Sequence, residues 1–209
     1  MDLLKIDRVS FNYQNHSVLK EIDFSIQKSD LILLGGPSGV GKSTLCKLLS
    51  GYLKPVSGEI LVNSAKLEKP SRSVLYIPQE DDLFEWHTLS QHFDFIRSLT
   101  KTNLPNPNLL EILGLTGLLN KYPRELSGGQ KKKAQIYKSY LINPELIIFD
   151  ETFSAIDQQA TDSILSEFTK IWAKLSCAVI FVSHYSGNIK PFVKKIVKIE
   201  NQGLAVLIL

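Results

Sequence analysis

The run Gly36-Pro37-Ser38-Gly39-Val40-Gly41-Lys42-Ser43-Thr44 constrains this chain more than any other feature. It matches G-x-x-x-x-G-K-[ST] at every defined position. Its flanks satisfy the same pattern. Leu31-Ile32-Leu33-Leu34 reads as a short buried strand, and Lys42 to Leu49 reads as a helix. Glycines at 36, 39 and 41 let the backbone fold back so that successive N–H groups point into one concavity. The helix start adds unpaired N–H groups and the positive end of its dipole. Lys42 supplies a point charge for the outer phosphates, and the Ser43 hydroxyl can sit on a Mg²⁺ held between them. A strand–loop–helix unit of this kind implies a nucleoside triphosphate site inside an α/β fold.

Composition sets the frame. The 209 residues are 44% hydrophobic and 22% charged, ordinary for a globular domain and ample for one core. A net charge of +3 without a stripe of cations and interleaved aromatics argues against nucleic acid as a partner. Cys46 and Cys177 lie far apart in apolar stretches. They read as small buried hydrophobes in a reducing compartment, without metal-ligand spacing. No apolar run approaches the ~20 residues of a membrane span. The start, Met1-Asp2-Leu3-Leu4-Lys5, lacks the apolar core of a signal peptide. The expectation is a cytoplasmic protein whose membrane role, if any, comes through another polypeptide.

Along the chain, residues 4–13 and 18–26 alternate apolar and polar around a turn-like Asn12–His16, which predicts an antiparallel pair of strands. Pro55 and Gly58 mark a turn before a strand at Glu59–Val62, and Ser73 to Ile77 is another strand. From about 83 to 127 strand signals vanish and short helical patterns appear. Helices are predicted over 128–142 and 157–175; in the second, Ile164, Phe168, Ile171 and Leu175 fall at core-stripe spacing. Leu146–Phe149 and Ala178–Val182 are fully apolar strands. Residues 193–199 and 203–208 form a hairpin around Asn201-Gln202-Gly203. Apolar strands alternating with helices imply a mostly parallel sheet covered on both faces. The fold expected is an α/β nucleotide-binding core with an antiparallel β edge and a small helical subdomain at about 83–142, all within a single domain spanning 1–209.

A second nucleotide feature is Asp150-Glu151 at the end of an apolar strand, where ligands gather in such sheets. Asp150 can hold Mg²⁺ through water, and Glu151 can orient and deprotonate an attacking water. The decisive segment is Leu126-Ser127-Gly128-Gly129-Gln130, whose last residue stands twenty positions before Asp150. Two glycines and a serine opening a helix make a second anion site from backbone N–H groups.

With these motifs in this order, the chain resembles the ATP-binding cassette family, the nucleotide-binding subunits of ABC transporters. The resemblance covers nearly the whole chain. It implies a head-to-tail dimer with a second cassette, identical or different, in which each of two ATP molecules lies between one chain's phosphate loop and the other's signature, Ser127 to Gln130. It implies that adenine stacks on Tyr13. It also implies that Gln79 reaches Mg²⁺ and the attacking water, that Ser154-Ala155-Ile156-Asp157 runs across the dimer, and that His184 contacts the terminal phosphate. Two departures are mild: lysines (Lys131, Lys133) stand where arginines are common after the signature, and Thr152 follows the catalytic glutamate in place of proline. The expected function is ATP hydrolysis that energises solute transport through a separate transmembrane permease, with the chain peripheral on the inner face of the membrane. A soluble cassette ATPase without a transport role, as in iron–sulphur assembly, is the alternative. After Gln79, Leu83, Phe84 and Trp86 either pack a helical subdomain or line a groove for the membrane subunit.

Overall fold

The computed structural model describes residues 2–100, 107–183, 187 and 189–208. Two sheets organise them. The first is antiparallel, built from β1 (Leu4–Tyr13), β2 (His16–Ile26), β4 (Ser57–Val62) and the two-residue β5 (Ala65–Lys66), in the order β2-β1-β4-β5. The second holds β3 (Leu31–Gly35), β6 (Val74–Ile77), β7 (Leu146–Asp150), β8 (Ala178–Val182), β9 (Lys195–Glu200) and β10 (Gly203–Ile208). Its order is β10-β9-β3-β8-β7-β6, parallel from β9 to β6, with β10 added antiparallel at one edge.

The apolar strands are apolar because both their faces are covered. Leu33, Ile147, Phe149, Val179 and Phe181 join one core. Their strand neighbours Ile32, Leu34, Ile148, Ile180 and Val182 join another, on the opposite face. Side chains two apart share a face, so one strand feeds both cores. The second core lies between the two sheets and takes in the apolar face of α1 (Lys42–Leu49), through Leu45, Cys46, Leu48 and Leu49.

The first core is closed by α2 (Leu89–Thr100), α3 (Pro107–Ile112), α4 (Gly128–Ile142) and α5 (Gln158–Lys174). In α5 the buried stripe is Ile164, Leu165, Phe168 and Trp172. Ile171 and Leu175 flank it, partly buried against the same core. Leu83 joins this core, whereas Trp86 is 71% exposed and stacks on Phe84 with ring centroids 5.4 Å apart. The strand expected from Glu59 begins at Ser57 instead, with Gly58 inside it at φ 76°. No helix among the described residues is long and apolar enough to cross a membrane.

Candidate nucleotide site

The site is laid out along the C-terminal ends of the parallel strands. The phosphate loop leaves β3, Asp150 ends β7, and Gln79 follows β6. In open α/β sheets this edge, where neighbouring connections diverge, is where ligands bind.

Gly41 is the N-cap of α1, at φ 109° and with no side chain capping the helix. An added Cβ there would stand 2.7 Å from Val18 Cγ1, so the strand pair β1–β2 presses against the base of the loop. Tyr13 pairs with His16 at the end of that same hairpin and is 48% exposed, its ring edge-on to Phe11. About half of the Tyr13 surface is thus open to solvent. Lys42 is buried and folds back. Its Nζ donates to the carbonyls of Gly36 at 2.9 Å and Pro37 at 2.8 Å. An ammonium has three donors, so one is left for a phosphate.

Ser38, Gly39, Lys42, Ser43, Gln79 and Glu151 border a cavity of about 210 Å³. A neighbouring cavity of about 300 Å³ shares Ser43 and Gln79 and adds Tyr76 and Asp150. The loop, the carboxylate pair and Gln79 thus converge. Asp150 is 2% exposed and accepts a hydrogen bond from Tyr76 Oη at 2.8 Å. Burial and the Asp150 carboxylate together raise the pKa of the Tyr76 hydroxyl far above its ordinary value, which keeps it a donor. Glu151 holds φ 52°, a left-handed conformation uncommon outside glycine, while its N–H donates to Val182 at 3.0 Å. That kink turns the carboxylate towards Gln79, whose Nε2 lies 3.5 Å from Glu151 Oε2.

The signature lies apart from these cavities. Ser127 caps α4, its hydroxyl accepting from the Gln130 N–H at 3.3 Å, while Gln130 Oε1 accepts from the Ser127 N–H at 2.9 Å. A Cβ on Gly129 would come within 2.9 Å of the Ala155 carbonyl, so glycine lets the signature lie against the turn 152–155. Asp157 caps α5, accepting from the Ala160 N–H at 2.8 Å. Among the described residues lining the loop cavity, none belongs to Ser127, Gly128, Gly129 or Gln130. His184 lies outside the described residues.

Sequence reasoning missed two contributors. Tyr76 is one; its only signal was a polar atom on an otherwise apolar strand. Lys132 is the other, a buried cation donating to the carbonyls of Pro78 and Gln79. Lys131, one of the lysines standing where arginines are common after the signature, pairs with Asp81 at 3.2 Å, and Lys138 pairs with Asp82.

The family model described as "ABC transporter" matches residues 19–154. An aliphatic sulfonates import ATP-binding protein of Bacillus cereus is 33% identical over 169 residues, covering 80% of this chain and 67% of that protein. A taurine import ATP-binding protein of Pelagibacter ubique is 32% identical over 171 residues, 79% of this chain and 64% of that protein. A solved structure of an ATP-binding subunit of an ABC transporter superposes with a TM-score of 0.87 at 26% identity, covering 99% of this chain and 90% of that one. Strand order, phosphate loop, carboxylate pair and signature all agree with that similarity, and the chain belongs to the ABC transporter family as an ATP-binding subunit.

Proposed function

We propose that the chain hydrolyses ATP in a head-to-tail pair of its own copies and so drives transport, in the import direction, through a separate membrane permease. The observation that carries this reading is the separation just described. Loop, Asp150-Glu151 and Gln79 share adjoining cavities, while the signature faces elsewhere and needs a second chain to meet a phosphate. Similarity to import subunits supports the direction. The permease would hold the solute site, and the chain would lie on the inner face of the membrane through it. The chain is proposed as one domain, with 83–142 as its helical subdomain, and exposed Trp86 beside Phe84 supports this face as the permease's docking surface.

In this mechanism the N–H groups of Gly36 and of Ser38 to Thr44, with the Lys42 ammonium, bind the phosphates, and Tyr13 stacks on adenine. Oxygen donors from Ser43, Asp150 and Gln79 line one cavity, a hard, sparse set that suits Mg²⁺, which keeps part of its water shell. Bound there, Mg²⁺ would neutralise charge on the outer phosphates. Tyr76 holds the Asp150 carboxylate in place. Glu151 takes the proton of the attacking water, with Gln79 and His184 orienting that water. The partner's copy supplies Ser127, Gly128, Gly129 and Gln130 to the γ-phosphate, and Asp157 fixes the segment that crosses between the copies.

Glu151→Gln tests the reading. The amide cannot accept the proton, so turnover should fall at least ~100-fold while ATP affinity in a nucleotide titration is kept. Turnover within about threefold of wild type, under 1 kcal/mol of barrier, would remove Glu151 from the role.

A further inference from the structure

The segment Pro78 to Phe84 starts at the loop cavity, yet its anchors come from the opposite side. Lys132 Nζ donates to the Pro78 carbonyl at 3.4 Å and more closely to that of Gln79. Gln135 Nε2 donates to the Glu80 carbonyl at 3.1 Å and to Asp82 Oδ1 at 3.0 Å. Lys138 holds the other Asp82 oxygen, and Lys131 holds Asp81. From α2, His92 Nδ1 accepts from the Phe84 N–H at 3.4 Å. Residues 131, 135 and 138 fall on one stripe of α4, with 132 beside it.

Lys132 is the member that needs explaining. It is 8% exposed, and taking an ammonium out of water is costly unless it is well paired. A methionine would fill the space without that cost. Burial lowers its pKa, and the carboxylates of Asp81, Asp82 and Asp150 act against that shift. Two of its bonds end on backbone carbonyls, one of them on the residue whose side chain meets Glu151. A compact ammonium can serve two converging carbonyls from one point, whereas a guanidinium spreads its donors over a larger plane.

We infer that Lys132 is a positioning residue for ATP hydrolysis: its ammonium ties the Gln79 peptide to the signature helix and so fixes where the Gln79 side chain stands against Glu151. The inference rests on the proposed role of Gln79 at the γ-phosphate. The tie also has a mechanical consequence. Lys132 lies about 7.5 Å along the axis from Ser127, on the helix that Ser127 caps. Any displacement of the signature on meeting a partner's phosphate is carried directly to the Gln79 peptide.

The test is a double-mutant cycle on steady-state MgATP hydrolysis by the purified full chain. The variants are Lys132→Met, Gln79→Ala and the double, with Lys132→Arg as the conservative control and thermal unfolding run alongside. Lys132→Met should lower kcat about tenfold and leave KM for ATP within about twofold, because the loop is untouched. Gln79→Ala should itself lower kcat, and the double should fall no further than Gln79→Ala alone. Lys132→Arg should lie between wild type and Lys132→Met. If Lys132→Met fails to fold, the same cycle is run with Lys132→Ala, which lets water reach the Gln79 carbonyl. Losses that multiply in the double variant would overturn the inference while leaving the Gln79 reading intact. Wild-type turnover in Gln79→Ala would overturn both.

Discussion

Two helices of this chain open with glycines, and they are finished in opposite ways. α1 begins after Gly41 in a left-handed conformation, and no side chain caps it. α4 begins after Ser127, and a reciprocal pair of bonds between Ser127 and Gln130 closes its first turn. A helix start left uncapped keeps its first N–H groups open to water or to a ligand. One that caps itself is stable without a ligand and contributes when a phosphate is brought to it. The difference assigns the work. In the proposed mechanism the loop is a phosphate site within each chain, and the signature is a self-sufficient surface that becomes a site only against a second chain.

The largest effect that can break this contrast comes from the loop. Gly41→Ala puts a Cβ at φ 109° and 2.7 Å from Val18 Cγ1. Backbone strain alone costs about 1–3 kcal/mol. The variant should melt lower than wild type and lose ATP binding in a nucleotide titration; unchanged affinity would show that the loop does not depend on its left-handed residue. A smaller effect sharpens the contrast from the other side. Ser127→Ala removes the cap of α4 at a cost of about 1 kcal/mol. It should lower the melting temperature by a few degrees and reduce turnover, while binding of ATP by the single chain stays at wild-type strength. If Ser127→Ala weakens that binding as Gly41→Ala does, the two helix starts are not divided as argued.

Much of this was legible in the sequence because the physics is local. A loop that must cradle phosphate needs glycines at fixed spacing, and a strand covered on both faces must be apolar throughout. α1 and α4 accordingly run from Lys42 to Leu49 and from Gly128 to Ile142, as their flanking residues announce. Long-range polar pairing was not legible. Lys132 and Gln79 are 53 positions apart, and nothing in a run of three lysines says that the middle one is buried. Tyr76 and Asp150 sit on adjacent strands whose pairing had to be known before the hydroxyl could be placed on the carboxylate. β5 escaped because two residues, Ala65 and Lys66, are too few to carry a period. Gly58 was legible as a turn residue but not as a break within a strand, because both need the same backbone freedom.

The central claim, that each ATP is served by one chain's loop and another chain's signature, is tested most directly by mixing two disabled variants. Lys42→Ala removes the phosphate cation of the loop, and Ser127→Arg blocks the start of the signature helix. Each variant alone should hydrolyse ATP at background rate. In an equimolar mixture half the pairs are mixed, and each mixed pair holds one intact loop facing one intact signature. Hydrolysis should therefore return to about a quarter of the wild-type rate. A mixture that stays at background while both variants fold would contradict the claim.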